Sequence, residues 1–181
     1  MRKEIIEEIK IPEEMTVEIV GDAIIIKKDN SELKRKFAGF SIKQEGNKLI
    51  LYDKKASRRE KNLIMTTLAH IKNMIKGLQE RFEYKLEICA IHFPMNVTYD
   101  ENKKEIIIKN FLGEVKPRTS KIPENVDIKI SGNIITVSSY DKEAAGLASA
   151  IIERISKVKG RDRRIFQDGI YLTEKAGRKI G

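Results

Sequence analysis

The segment IKQEGNKLILYD, residues 42–53, decides the predicted fold, because a closely similar segment, IKISGNIITVSSYD, occurs again at residues 128–141. Each segment contains two runs of alternating apolar and polar residues separated by Gly-Asn, a pattern typical of a β-hairpin closed by a tight turn. Each hairpin leads directly into a segment with helical periodicity. The sequence therefore predicts one unit, several antiparallel strands followed by one helix, that occurs twice.

Further hairpin patterns lie upstream of these two segments. Residues 11–28 and residues 122–138 both begin with Ile-Pro-Glu, alternate for one strand, turn at Gly-Asp or Gly-Asn, and alternate again. Residues 93–108 give a third version with a polar turn from Asp100 to Lys104. β-Branched residues are frequent in all of these runs, and we therefore expect antiparallel strands.

The two predicted helices each have a start signal and one apolar face. Ser57 and Glu60 have the spacing of a capping box, and Asp141 is a favourable N-cap. Apolar residues then recur at intervals of four and three, which places them on one face that we expect to pack on a sheet. These residues are Ile64, Leu68, Ile71, Ile75 and Leu78 in the first helix, and Ala144, Ala148, Ile151, Ile155 and Val158 in the second.

An α+β fold of two tandem repeats of one small domain follows, each with antiparallel β-strands packed on one α-helix. We expect the first domain at residues 1–81 and the second at residues 82–181. The join is placed where the first helix has ended and a strand begins near Leu86. No linker rich in Gly, Ser or Pro separates the halves, which predicts that they pack together.

Composition excludes several functional classes. Hydrophobic residues make up 40% of the 181 residues and charged residues 35%, with no apolar run near the roughly 20 residues that a membrane helix needs. The first residues lack the apolar segment of a secretory signal and the single cysteine fits a reducing compartment, so we expect a cytoplasmic location. The pI near 9.5 points to an acidic partner, which is RNA, DNA or an anionic membrane surface, and of these we predict RNA and no membrane. One cysteine and two histidines exclude an internal disulfide and a zinc site built from Cys and His ligands.

No pattern of residues predicts catalysis. His70 and His92 are each interpreted as an ordinary imidazole, since no acid or nucleophile pattern accompanies either of them, and Cys89 as a small buried apolar residue. A Gly-rich phosphate loop, a nucleophile elbow and suitably separated paired acids are all absent from the sequence. We therefore predict no catalytic residue, metal, cofactor or small-molecule substrate.

The last quarter of the chain is strongly basic. Residues 157–181 contain eight basic and three acidic residues and carry +5 of the net charge of +9. Phosphate is the simplest partner for such a surface, because bound cations release condensed counterions, whereas a solvated terminus is the alternative. Apolar residues on both sides of it favour a basic loop that packed segments hold, and these are Ile165, Phe166, Ile170, Tyr171 and Leu172.

We predict that this region supplies the RNA-contacting residues. Cations near the end of the second helix suit its dipole, and Gly160 is the expected helix stop, but Arg161, Arg163 and Arg164 lie beyond the helix. Guanidinium groups on a rigid loop suit bidentate contacts to phosphate. The predicted RNA-binding residues are Lys157, Lys159, Arg161, Arg163, Arg164, Lys175, Arg178 and Lys179.

Three other basic clusters lie outside this region, and for the first of them a solvated face is at least as well supported as contact with RNA or protein. One lies at the start of the first helix, a second between strands and a third in a loop around Pro117. They contain Lys54, Lys55, Arg58, Arg59 and Lys61; Lys34, Arg35 and Lys36; and Lys116, Arg118 and Lys121. Aromatic residues make up only 6% of the chain, which argues against a surface that works by stacking unpaired bases.

The segment KGRDRRIFQDGIYL, residues 159–172, together with the repeated strand and helix pattern, resembles the ribosomal protein six family of the large subunit. The form is that of the archaeal and eukaryotic branch, and the resemblance spans essentially the whole chain. Ile-Pro-Glu at residues 11–13, Val-Glu-Ile at residues 17–19 and the Gly39-Phe40 pair are also similar to the family.

The resemblance implies a structural protein that binds large-subunit rRNA near the base of the factor-recruiting stalk, close to the sarcin–ricin loop. It further implies cytoplasmic ribosomes as the location, neighbouring ribosomal proteins of the stalk base and translation factors as partners, and neither an enzymatic activity nor a cofactor. In the family, the C-terminal half makes most of the RNA contact. The bacterial lysine- and glycine-rich loop is replaced here by an arginine-rich one, so bacterial contacts cannot be transferred residue by residue.

Three alternatives remain from the residues themselves. A general double-stranded RNA-binding module would use the same basic surface. A protein-interaction module would use the hairpin faces and bind its partner with little salt dependence. A nucleic-acid enzyme would need converging carboxylates, for which the sequence offers no candidate. The first domain either contacts protein neighbours or translation factors, or braces the second domain.

Overall fold

The computed structural model describes residues 3–29, 31–37 and 39–180. These residues form an α+β fold of antiparallel strands and two α-helices. The chain divides into two compact units, Met1–Glu80 and Arg81–Gly181, one residue before the boundary expected from the sequence. Neither described helix has the combination of length and apolarity that crossing a membrane requires.

The first unit contains two three-stranded antiparallel sheets and one helix. Its elements are β1 (Lys3–Lys10), β2 (Thr16–Val20), β3 (Ala23–Lys28), β4 (Ser31–Lys36), β5 (Ser41–Glu45), β6 (Lys48–Ala56) and α1 (Arg58–Gln79). The sheets have the strand orders β1-β6-β5 and β2-β3-β4. The hairpins β2–β3 and β5–β6 close through two-residue turns whose first residue, Gly21 or Gly46, has a φ of +58°. This backbone conformation is strained for any residue with a Cβ.

Helix α1 begins as the sequence predicts. The Ser57 hydroxyl accepts a hydrogen bond from the Arg59 N–H, the Glu60 carboxylate accepts one from the Ser57 N–H, and the capping box is thereby confirmed. The buried face of α1 shares one core with strand residues such as Leu49 and Leu51. This buried face comprises Ile64, Leu68, Ile71, Met74 and Leu78, with Ile75 partly buried at its edge.

The second unit contains a three-stranded sheet, a five-stranded sheet and one helix. Its elements are β7 (Phe82–Cys89), β8 (Asn96–Asp100), β9 (Glu105–Lys109), β10 (Arg118–Lys121), β11 (Asp127–Ser131), β12 (Ile134–Ser139), α2 (Lys142–Ile155), β13 (Gly169–Lys175) and β14 (Arg178–Lys179). The strand orders are β10-β9-β8 and β11-β12-β7-β13-β14, and every pairing is antiparallel. The long sheet therefore places β13 beside β7, with β14 beyond β13 at the edge.

The buried face of α2 differs from the predicted one. Asp141 is the N-cap, as expected, but the buried residues of the helix are Ala145, Ala148, Ser149 and Ile152. Ala148 is buried as predicted, whereas the predicted Ala144, Ile151 and Ile155 are only partly buried and Val158 is buried beyond the end of the helix. Small residues bring the helix close to the sheet, where a Cβ on Gly146 would lie 3.6 Å from the Tyr84 hydroxyl. Ala144 and Ala145 are the same residue type, as are Ile151 and Ile152, so apolarity alone does not decide which of the two adjacent faces is buried.

Two other expectations about local structure are wrong. Helix α2 ends at Ile155 with Ser156 as its C-cap, so Gly160 does not stop the helix, although it has a φ of +67°. Lys34, Arg35 and Lys36 lie within β4, and Arg118 begins β10, where turns or loops were expected. Both strands pair on one side only, with β3 or β9, and alternate exposed and half-exposed side chains. Such polar strands lack the apolar alternation from which strands are predicted.

Candidate nucleic-acid interface

The basic loop, residues 156–168, connects helix α2 to strand β13. It holds five of the predicted RNA-contacting residues, and the C-terminal hairpin, residues 174–179, holds the other three. All eight of these side chains are exposed. Within the described ranges, none of the eight takes part in a salt bridge. Their charges are therefore available to an external anion.

The structure does not gather the eight cations into one patch. The basic loop precedes the first residue of β13, whereas Lys175 ends that strand and Arg178 pairs with it from β14. At about 3.3 Å per residue, the length of β13 separates the loop from the hairpin by about 20 Å. The predicted residues therefore form two cationic clusters at opposite ends of one strand.

Arg118 connects the start of the basic loop to the rest of the unit. Its guanidinium donates hydrogen bonds to the carbonyl oxygens of Ile155 (2.9 Å) and Lys157 (3.0 Å), next to the end of α2. It also donates two hydrogen bonds to the Glu114 carboxylate, at 2.8 and 2.6 Å, and lies 4.1 Å from the centroid of the Phe111 ring. The hydrogen bond from Arg118 holds the pKa of Glu114 below its ordinary value. Arg118 was predicted as one of three loop cations, but its guanidinium makes these contacts within the protein and is only partly exposed.

Ser156 adds a second attachment at the same end of the loop. Its hydroxyl donates to the carbonyl of Glu153 at 3.0 Å and accepts from the N–H of Ile170 at 2.9 Å. Ser156 and Ile170 are both almost completely buried. The first residue of the loop is thereby hydrogen-bonded to the start of strand β13. The last residue of the loop directly precedes the same strand.

Asp168 fixes the other end of the basic loop. It is only 2% exposed, and one carboxylate oxygen accepts hydrogen bonds from the N–H groups of Ile91 (2.8 Å) and His92 (2.9 Å). The second oxygen pairs with Nδ1 of the His92 ring at 2.5 Å. Burial alone raises the pKa of Asp168, but the hydrogen bonds from the His92 N–H, the His92 ring and the Ile91 N–H outweigh it, so the pKa is lowered. The carboxylate is thus the acceptor that the chain after β7 requires.

Aromatic contacts complete the inner side of the loop. The Phe166 ring stacks on the His92 ring with centroids 4.8 Å apart, and the Arg161 guanidinium lies 4.8 Å from the Phe166 centroid. Ile165 was expected to pack in the same way, but it is 63% exposed. The Asp162 carboxylate accepts from the Arg164 N–H at 2.9 Å and so shapes the turn that carries the arginines. The loop is therefore held by polar and aromatic contacts at both ends.

These anchors were not identified from the sequence. His92 was interpreted as an ordinary imidazole, and its partner lies 76 residues further along the chain. Asp168 was quoted only as part of a motif, and Arg118 only as a surface cation. One signal in the sequence could have identified Asp168, which lies between the apolar pairs Ile165-Phe166 and Ile170-Tyr171. An acid that is buried among apolar residues needs hydrogen-bond donors from elsewhere in the chain. Among the described residues, no three His, Cys, Asp or Glu side chains are grouped so that they could hold a metal ion.

Replacing Arg118 with lysine is expected to loosen the start of the loop while leaving the two sheets folded. A lysine has no planar fork with which to reach both carbonyl oxygens and the Glu114 carboxylate at once. We expect a loss of about 1–2 kcal/mol in the free energy of unfolding and faster amide hydrogen exchange at residues 156–160. The control is Glu114→Gln, which keeps an acceptor for Arg118 and should change exchange there much less. Unchanged exchange in Arg118→Lys would contradict the assigned anchor.

The fold and this site define a class of protein, a small antiparallel α+β protein that presents an arginine-rich surface loop anchored at both ends. A family model described as ribosomal protein L6 matches residues 93–169. The chain is 47% identical over 176 residues to large ribosomal subunit protein uL6 of Methanococcus vannielii, covering 96% of each chain. It is 41% identical over 172 residues to the uL6 protein of Desulfurococcus amylolyticus, covering 93% of this chain and 94% of that one. The chain belongs to the ribosomal protein uL6 family, and the resemblance found in the sequence is confirmed.

Proposed function

We propose that this chain is a structural component of the large ribosomal subunit that binds large-subunit rRNA through the basic loop and the C-terminal hairpin. The observation that carries the proposal is the set of eight exposed cations without intramolecular salt bridges in the described chain. The relatives are themselves named as proteins of the large ribosomal subunit. The proposed role is structural, without catalysis or a cofactor.

The chemistry of the loop favours phosphate over base edges as the target. Arg161, Arg163 and Arg164 present planar guanidinium groups that match two phosphate oxygens at once. The anchors at Arg118 and Asp168 hold the backbone of the loop before RNA arrives, so little backbone freedom is lost on binding. RNA helices are recognised mainly by their shape, through phosphates and 2′-hydroxyls, and a rigid cationic loop suits this mode.

The position on the ribosome rests on the family resemblance. The resemblance supports the proposal of a position near the base of the factor-recruiting stalk and close to the sarcin–ricin loop, with neighbouring ribosomal proteins and translation factors as partners. We propose the ribosome in the cytoplasm as its location. The second unit, with the basic loop, takes the main RNA contact in this proposal, and the first unit contacts protein neighbours or braces the second.

The element order supports the further proposal that the chain is a tandem repeat of one small domain. In the first unit one sheet has the order β1-β6-β5, and the second unit repeats this order as β7-β12-β11 before adding β13 and β14. The three-stranded sheets β2-β3-β4 and β8-β9-β10 also correspond. By this order, residues 11–28 match residues 93–108, whereas the Ile-Pro-Glu at residues 122–124 precedes a hairpin at a different place in the repeat.

The decisive experiment measures binding of the full chain to large-subunit rRNA across a salt series, with duplex DNA of equal length as competitor. With roughly six phosphates neutralised, we expect affinity to fall on the order of a thousandfold between 50 and 200 mM salt. We also expect rRNA to be preferred over the DNA. Equal binding to both nucleic acids would indicate a generic basic surface, and a protein partner bound without salt dependence would favour the interaction-module alternative.

A further inference from the structure

A cavity of about 320 Å³ lies behind the basic loop. The last turn of α2, the first residues of the loop and the start of β13 form its walls. Charged residues line it from the helix and the loop, and Phe166 and Tyr171 line it with aromatic surface. At about 320 Å³, it lies at the lower end of the size range of small-molecule pockets, roughly 300–1,000 Å³. The cavity is therefore suited to one small flat group instead of a stack of several.

Tyr171 gives the cavity a rigid aromatic wall. Its hydroxyl donates a hydrogen bond to the carbonyl of Gln167 at 2.9 Å, which ties the ring to the loop. A Cβ on Gly169 would lie only 3.2 Å from the Cζ atom of the ring, so the ring packs directly on the glycine backbone. Tyr171 nevertheless remains 39% exposed. An aromatic ring that is both fixed and accessible can stack on a partner at little cost in conformational entropy.

The charges around the cavity favour an anionic ligand. Arg154, Lys157 and Arg163 line it, and all three are exposed. Glu153 is the one exposed acid among the lining residues. The other lining acid, Asp168, is buried and already accepts hydrogen bonds from His92 and Ile91. An aromatic wall beside an excess of positive charge matches the two parts of a nucleotide, the base and its phosphate.

We propose that this cavity binds a single unstacked nucleotide of the rRNA, with its base on the Tyr171 ring and its phosphate on Arg163. This inference rests on the proposed function and extends it, because contacts to phosphate alone need no cavity. The low aromatic content of the chain argues against a long stacking platform, but one nucleotide requires only one fixed ring. The protein would thereby combine shape recognition of folded RNA with capture of a base turned out of its helix.

The test uses Tyr171→Leu, which removes the ring but keeps an apolar side chain, in the full-length protein. We expect its affinity for large-subunit rRNA to fall roughly tenfold or more, with the salt dependence unchanged, because a base stack and not a phosphate contact is lost. Tyr171→Phe keeps the ring and should bind within about threefold of the unmodified protein. The control is Phe93→Leu, which alters an exposed aromatic residue that does not line the cavity and should bind normally.

A spectroscopic measurement makes the result independent of folding defects in Tyr171→Leu. The chain contains no tryptophan, so Tyr171→Trp introduces a single fluorescent reporter into the cavity wall. We expect large-subunit rRNA to quench this fluorescence and a perfectly paired RNA duplex of equal length to leave it nearly unchanged. Unquenched fluorescence together with normal binding by Tyr171→Leu would overturn the nucleotide site while leaving rRNA binding intact. Failure of the unmodified protein to bind rRNA would instead overturn the proposed function.

Discussion

Replacement of Arg161, Arg163 and Arg164 by alanine is expected to lower the affinity for large-subunit rRNA roughly a hundredfold near physiological salt. Each guanidinium is expected to contribute about 1 kcal/mol through a charge-assisted contact to phosphate. The slope of log affinity against log salt should also become shallower by about 3, because three fewer counterions are released. The measurement is an rRNA binding isotherm at four or more salt concentrations. The free energy of unfolding should change little, since all three side chains are exposed.

A matched control separates a local contact from a general effect of net charge. Arg58, Arg59 and Lys61 are also exposed, and they crowd the first turn of α1, where cations oppose the helix dipole. Their replacement by alanine removes the same charge and should leave most of the rRNA affinity. Equal losses in the two triple variants would mean that RNA contact is not concentrated on the basic loop. No loss in the loop variant would show that the assigned contact surface is wrong.

Replacement of Asp168 by alanine is expected to destabilise the second unit by about 3 kcal/mol. The change leaves the N–H groups of Ile91 and His92 without their acceptor and removes the partner of the His92 ring. Urea denaturation gives the loss in the free energy of unfolding, and amide exchange at residues 91 and 92 locates it. The control, Asp162→Ala, removes an exposed carboxylate that caps one turn of the same loop and should cost less than about 1 kcal/mol. Equal costs would contradict the anchoring role of Asp168.

The contribution of Asp168 should also depend on pH. Its pKa in the folded protein lies below its ordinary value, because the hydrogen bonds from His92 and Ile91 outweigh the effect of burial. A carboxyl group with a lowered pKa contributes stability above its unfolded pKa of about 3.9 and loses it as the pH falls through the folded pKa. The difference in unfolding free energy between the unmodified protein and Asp168→Ala should therefore be largest near neutral pH and shrink below about pH 4. A difference that stays constant down to pH 2 would exclude the ionised carboxylate as its source.

Local signals in the sequence predicted the local parts of this fold. The Gly-Asn pairs mark the hairpin turns because a tight turn needs a residue that tolerates positive φ, and Gly46 and Gly132 both have a φ of +58°. The Ser57 and Glu60 capping box depends only on residues three apart, and it forms as expected. The buried face of α2 was predicted one position away because the helix has apolar residues on two adjacent faces, with Ala144 and Ile151 on one and Ala145 and Ile152 on the other. Which face packs depends on the sheet surface that the helix meets, and the sequence of the helix alone does not contain this information.

In the candidate site, too, the features set by the local sequence could be predicted and those set by distant residues could not. The exposed cations could be predicted because charge density is a property of the local sequence. The contacts that hold the basic loop could not be predicted, because they join residues that lie far apart in the chain. Asp168 binds His92 from 76 residues away, and Arg118 reaches the carbonyl of Lys157 from 39 residues away. Tyr171 was recognised as a packed apolar residue, whereas its place in a cavity wall depends on how the loop folds back over β13.

If both cationic clusters bind RNA as proposed, their separation by strand β13 makes the second unit a bivalent ligand. Once one cluster is bound, the other is presented to the RNA at a high effective concentration, and no flexible linker has to be ordered. This gain exists only if the RNA holds two groups of phosphates about 20 Å apart, at the spacing that the strand imposes. An unfolded or misfolded RNA presents that spacing only transiently. On the proposed function, the strand therefore sets the spacing at which the protein contacts RNA, and correctly folded RNA should bind more tightly than the same sequence in another conformation.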